Sequence, residues 1–152
     1  MIKINLTIAK IWGPPEGHPV FALHGWLDNA ASFDALIPLM PSNLRIVAFD
    51  VPGHGLSDHF PPDVAYNFQD ALIAIERFAR LFNWQKFSLI GHSLGGTIAM
   101  LYAGIFPEKV DKLVNIDIVR VTATIPETMD IRLRKTIGKL LKYETAIISG
   151  PE

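Results

Sequence analysis

The sequence predicts an α/β protein with a mostly parallel sheet and helices on both faces. Three observations carry that prediction. Short β-type runs alternate with helical stretches along the chain, as in proteins whose parallel strands are joined by helical crossovers. The run at residues 19–24 is continuously apolar, as strands covered on both faces are, and 44–50 reads as the next buried strand. Glycine and proline cluster where those runs end, which marks turns at one edge of the sheet. The 152 residues are the size of one domain, and at 49% hydrophobic they carry enough apolar material for a sizeable core.

Each element follows from its local pattern. Residues 1–11 alternate Ile2, Ile4, Leu6 and Ile8 with Lys3, Asn5 and Thr7, a strand period. The turn-rich Gly13-Pro14-Pro15-Glu16-Gly17 leads into the second strand, 19–24, and a helix is expected over about 30–39. The third strand, 44–50, ends at the Pro52-Gly53-His54-Gly55 loop. A helix over about 67–82 is expected, with Asn67 and Asp70 spaced as a cap pair and Leu72, Ile75, Phe78, Ala79 and Phe82 on one stripe. Residues 86–90 read as a strand, 93–106 as a helix closed by Pro107, and 112–118 as a further strand. The tail from Ile125 is helical in pattern and more polar than the rest. We therefore divide the chain at 124, with 1–124 as core and 125–152 as the beginning of a helical cap.

Composition narrows the partners. The formal charge of −1 arises from scattered acids and bases with no run of one sign, which gives no footprint for nucleic acid or an anionic membrane. A neutral small molecule fits better. With no cysteine, disulfides and thiolate metal sites are excluded, and no metal or cofactor is expected. No stretch of about 20 apolar residues suggests a membrane span. The N-terminal alternation is unlike the uninterrupted apolar stretch of a signal peptide, so a cytoplasmic location is expected.

The sharpest chemical signal is Gly91-His92-Ser93-Leu94-Gly95, a G-x-S-x-G match placed directly after an apolar strand and directly before a helix. A serine on such a tight turn serves as a nucleophile, and its flanking glycines let strand and helix approach closely. Gly96 adds room for the same approach. The helix that starts here aims its N-terminal amides at developing negative charge, so the Leu94 N–H is a natural oxyanion donor. The bland alternative is a glycine-rich strand-to-helix turn without chemistry.

A second signal is His24-Gly25-Trp26-Leu27-Asp28, at the end of the first buried strand. Open α/β sheets bind ligands at that edge, and the Trp26 N–H is the favoured second oxyanion donor. Trp26 as ordinary wall and Asp28 as a loop-capping acid are equally open. For His24 we expect a backbone-bonded structural ring beside the site. A third signal, the stretch Asp50 to Ser57, has a proline and two glycines that specify a rigid loop, so His54 is expected to pack rather than act as a base. His92, just before the serine, should point away from its hydroxyl. His18 and His59 lie in loops with no partner signal.

Taken together, HGWLDNAASFDALIPLMP (24–41), the D-x-P-G-H-G-L-S stretch (50–57), GHSLGG (91–96) and FPEKVDKLVNID (106–117) resemble the α/β-hydrolase superfamily. Within it, the chain looks like the serine hydrolase-like (Kraken-like) subfamily. The resemblance covers 1–117, and the tail looks like the start of that family's cap. It implies an eight-stranded sheet with the catalytic acid and then the histidine following the cap, beyond this sequence. The chain is therefore expected to be truncated after about the sixth strand. Some relatives place the acid just after the strand that follows the nucleophile helix, which makes Asp117 a candidate.

The resulting expectation is a serine hydrolase acting by acyl transfer through Ser93 on an uncharged ester, thioester or related small acyl compound. A serine at this turn argues against dehalogenases and epoxide hydrolases, which use aspartate there. The competing expectation is a truncated, inactive hydrolase or ligand-binding pseudo-enzyme that lacks the triad histidine. For a full-length parent the resemblance also suggests a peroxisomal address.

Overall fold

The computed structural model describes residues 1–61, 63–118 and 129–149. Its strands are β1 (Ile2–Ile4), β2 (Thr7–Trp12), β3 (His18–Leu23), β4 (Leu44–Phe49), β5 (Phe87–His92) and β6 (Val110–Ile116). They form one sheet in the order β1-β2-β4-β3-β5-β6. β3 to β6 run parallel, and β1 and β2 add an antiparallel edge. The predicted α/β class and mostly parallel sheet are therefore present.

The register explains why the central runs are apolar throughout. Phe21 pairs with Val47 and Leu89, and all three face the larger core cluster. The intervening Val20, Ala22, Ile46, Ala48 and Ile90 point to the opposite face and form a second cluster with Ala30, Phe33 and Ile37. Both faces are thus desolvated, which is the condition for a continuously apolar strand. On the first face lie α1 (Phe68–Leu81), α2 (Leu94–Ile105) and α3 (Met129–Ser149), which place Leu72, Ile98, Ile137 and Leu141 in the core. The Asn67 and Asp70 pair forms the predicted capping box on α1.

A buried polar network joins α1 to α2. Glu76 is 4% exposed, accepts from Lys109 Nζ at 2.8 Å and also accepts from the Tyr102 hydroxyl. Burial and the Glu76 carboxylate push the Tyr102 phenol well above its ordinary value.

Three local expectations need correction. The N-terminal run is a hairpin: Asn5 takes φ 49, Ile4 pairs with Thr7, and beyond the turn it is Thr7 and Ala9 that are buried. Reversing direction changed which alternate residues face inward, so Leu6 is exposed. The stretch 30–39 forms two 3-10 turns, Ala30–Phe33 and Ile37–Leu39, instead of an α-helix. Pro38 lacks an N–H and keeps Ile37 from continuing an α-helix. The last strand starts two residues earlier than the pattern indicated because the 3-10 turn Pro107–Lys109 feeds it directly. The division at 124 falls outside the described residues.

Candidate active site

The sheet brings the three sequence signals to one edge. β5 ends at His92, α2 begins at Leu94, and Ser93 between them has φ 49 and ψ −110. A non-glycine residue there is strained by about 1–3 kcal/mol, as a serine on such a sharp turn is. The Ser93 N–H donates to the Ile116 carbonyl at 2.9 Å, which ties the turn to the end of β6. Leu94 holds the first helical position, so its N–H has no acceptor within the helix.

Glycine is required here by close approach. A Cβ on Gly95 would lie 2.1 Å from the Leu23 carbonyl oxygen, and one on Gly91 would lie 2.4 Å from the Gly95 oxygen. The start of α2 therefore presses directly on β3. A Cβ on Gly25 would lie 2.9 Å from His92 Nδ1 and 3.7 Å from Ser93 Cβ. The His24–Asp28 loop thus sits against the Ser93 turn, and His92 packs on Gly25.

The rest of the loop is held from below. His24 is fully buried; Val51 N–H donates to its Nε2 at 2.9 Å, and its Nδ1 lies 2.8 Å from the Gly25 carbonyl oxygen. An Nε2 that accepts leaves the proton on Nδ1, so the ring is the neutral tautomer that donates to Gly25. Burial holds its pKa below the ordinary histidine value. Asp50, at the end of β4, was not singled out by sequence reasoning. Its Oδ1 accepts from Ala30 N–H and its Oδ2 from Leu56 N–H, both at 2.7 Å. One buried carboxylate therefore fastens the two loops to each other. A strand-end acid followed by a glycine-rich loop was the signal that could have revealed it.

The histidines are placed as follows. His54 is 8% exposed, with its ring edge-on to Trp26 at 5.2 Å between centroids. His59 lies 3.3 Å from the Tyr66 hydroxyl. His18, expected in a loop without a partner, instead opens β3 at the opposite sheet edge, where its Nε2 is 2.9 Å from Ser88 Oγ and 3.7 Å from Asp111 Oδ2. Both partners meet the same nitrogen, whereas a relay needs one on each. None of the five histidines hydrogen-bonds Ser93. Asp117 stands exposed just past β6, at φ 59, next to the Ile116 carbonyl that receives the Ser93 N–H. No group of three His, Asp or Glu side chains suited to a metal occurs among the described residues.

Beside the turn is a cavity of about 140 Å³. Trp26 and Leu94 border it, and Val51, Phe68, Ala71 and Ile98 supply apolar wall. Val51 lies in the third sequence signal, whereas no signal marked Phe68, Ala71 or Ile98, which read as ordinary core spacing.

Residues 18–138 match the family model described as the alpha/beta hydrolase fold. The chain belongs to the α/β-hydrolase family. A "Probable serine hydrolase" of Drosophila melanogaster is 46% identical to this chain over 138 residues, covering 90% of the chain and 42% of the relative. A human "Serine hydrolase-like protein" is 50% identical over 109 residues, covering 72% of the chain and 54% of the relative. Among solved structures, a hypothetical protein of Pseudomonas aeruginosa superposes with TM-score 0.69 at 38% identity, covering 94% of this chain and 49% of that one. A structure reported with carboxylesterases of Nitrososphaera gargenis gives TM-score 0.65 at 30% identity, covering 72% and 40%. The chain thus spans about half the length of the relatives it matches. No helix among its described residues is long and apolar enough to cross a membrane.

Proposed function

We propose that this chain belongs to a hydrolase that acts by acyl transfer on an uncharged carboxylic ester or related small acyl compound, with Ser93 as the nucleophile. The observation that carries the reading is the strained Ser93 turn with the Gly25 loop closed against it. Ser93 Oγ attacks the acyl carbonyl, whose oxygen gains negative charge beside the Leu94 and Trp26 N–H groups. The alcohol or thiol leaves with a proton, and water then releases the acid from the acyl-serine. His24, Gly25, Gly91, His92 and Gly95 shape the site without touching the reacting atoms, and Asp117 is the candidate acid. No histidine here hydrogen-bonds Ser93, so on this reading the proton acceptor is a group other than these five rings. The kinship with proteins called serine hydrolase-like and with a carboxylesterase structure supports the ester chemistry.

That placement of the histidines also favours a second reading, in which the 152-residue chain binds acyl compounds without turning them over. Without its general base, a serine hydrolase loses several powers of ten in rate. A fluorophosphonate probe separates the two. Covalent labelling mapped to Ser93 and absent from Ser93→Ala supports acyl transfer; a folded chain that labels no better than Ser93→Ala supports binding alone.

A further inference from the structure

Helix α3 gathers charge that the linear sequence scatters. Residues 131–142 hold five of the chain's fourteen Lys and Arg and none of its fifteen Asp and Glu. In the sequence these bases are interrupted by Leu133, Ile137, Leu140 and Leu141, so the order of residues showed no footprint for an anionic membrane. The helix changes that. Arg132, Lys135, Lys139 and Lys142 fall at i, i+3, i+7 and i+10, which sets them in one row about 15 Å long. All four are exposed, whereas Ile137 and Leu141 are buried in the core where α3 meets α1 and α2. The row therefore lies on the face of α3 turned away from the body.

A helix face that serves only as a solvated surface usually mixes the two signs, so that neighbours one turn apart attract. This one does the opposite. Arg132 and Lys135, Lys135 and Lys139, and Lys139 and Lys142 are like-charged neighbours three or four residues apart, each a destabilising pair. Arg134, off the row, is bonded to Glu108 and lies over the Phe106 ring. Among the described residues, none of the four in the row is engaged in an ion pair. Ile131 adds an apolar contact: it is 67% exposed and stands four residues before Lys135, on the same face. Cations in a row with an apolar side chain at their margin fit the surface of a bilayer, whose head groups take the charges and whose upper acyl layer takes the isoleucine. Nucleic acid backbone would leave Ile131 without a partner.

We propose that the outer face of α3 is a docking surface for membranes rich in anionic phospholipid, with Arg132, Lys135, Lys139 and Lys142 on the head groups and Ile131 inserted beside them. The rest of the chain, where acids outnumber bases, is repelled by such a surface, so the molecule approaches with α3 foremost. This docking is independent of the acyl-transfer reading.

The test is co-sedimentation of the 152-residue chain with vesicles of phosphatidylcholine, alone or with one-third phosphatidylserine. The chain should partition onto the phosphatidylserine vesicles only, and come off at about 1 M salt, where the screening length falls to about 3 Å. Each cation at such a surface is worth about fivefold in partition, so the double variant Lys135→Gln, Lys139→Gln should bind about 25-fold more weakly. Ile131→Ser should weaken binding about fivefold while leaving its salt dependence unchanged. The double variant Lys86→Gln, Lys112→Gln removes the same charge from the sheet and should change binding by no more than about twofold. Failure of the parent chain to partition overturns the proposal. So do equal losses from the two double variants, which would make net charge the whole cause, and tighter retention on duplex DNA than on the vesicles. Should a variant fail to fold, the parent's dependence on lipid charge and salt decides.

Discussion

The Val51 N–H donates to His24 Nε2 at 2.9 Å, so a ring two residues before Trp26 ties the loop after β3 to the loop after β4, beside the Asp50 carboxylate. His24→Ala leaves the buried Val51 amide without an acceptor. Urea denaturation should show a loss of about 1–3 kcal/mol, the desolvation cost of one orphaned buried donor.

The same ring makes stability depend on pH. In the unfolded chain it titrates near 6.5; in the fold, burial lowers its pKa. Its contribution is complete above pH 6.5 and declines as pH falls from there to the lowered folded value, because the unfolded state then binds a proton that the folded state refuses. The unfolding free energy of the parent should drop on acidification below 6.5 by up to about 1.4 kcal/mol per pH unit from this group. In His24→Gln that part of the slope should vanish.

The two tight glycines should differ in sensitivity. Gly95→Ala sets a methyl against the Leu23 and His24 carbonyl oxygens at 2.1 and 2.8 Å, which are backbone and cannot give way. Gly25→Ala meets the His92 ring at 2.9 Å, a side chain that can turn aside. Thermal unfolding should therefore place Gly95→Ala well below Gly25→Ala, the former losing about 3 kcal/mol or more.

Ser93→Gly should raise stability by about 1 kcal/mol in denaturant titration while abolishing probe labelling, because glycine adopts φ 49 without strain. Ser93→Ala should abolish labelling with no such gain. A glycine variant no more stable than the alanine variant would argue that the turn holds no strain.

Asp50→Asn replaces an oxygen that accepts from a main-chain N–H with an amide that donates. One of the bonds to Ala30 and Leu56 is lost, at a cost of about 1–3 kcal/mol. Limited proteolysis should then cut faster within 25–32 and 51–58.

The amino-acid order alone determined the strands over 19–24 and 44–50, the capping box at Asn67 and Asp70, and the serine turn, because each depends on neighbours a few residues away. A buried parallel strand announces itself by a largely apolar run, and a pinched turn by its glycines. The hairpin at Asn5 was invisible, since alternation continues smoothly through Leu6 while the chain reverses. Only the tertiary structure decided that Asp50 grips Ala30 across 20 residues, that Gly25 lies against Ser93 across 68, and that Phe68, Ala71 and Ile98 wall one cavity. Those contacts join segments brought together by the parallel register of β3, β4 and β5, and nothing local in the chain encodes which strand ends will meet.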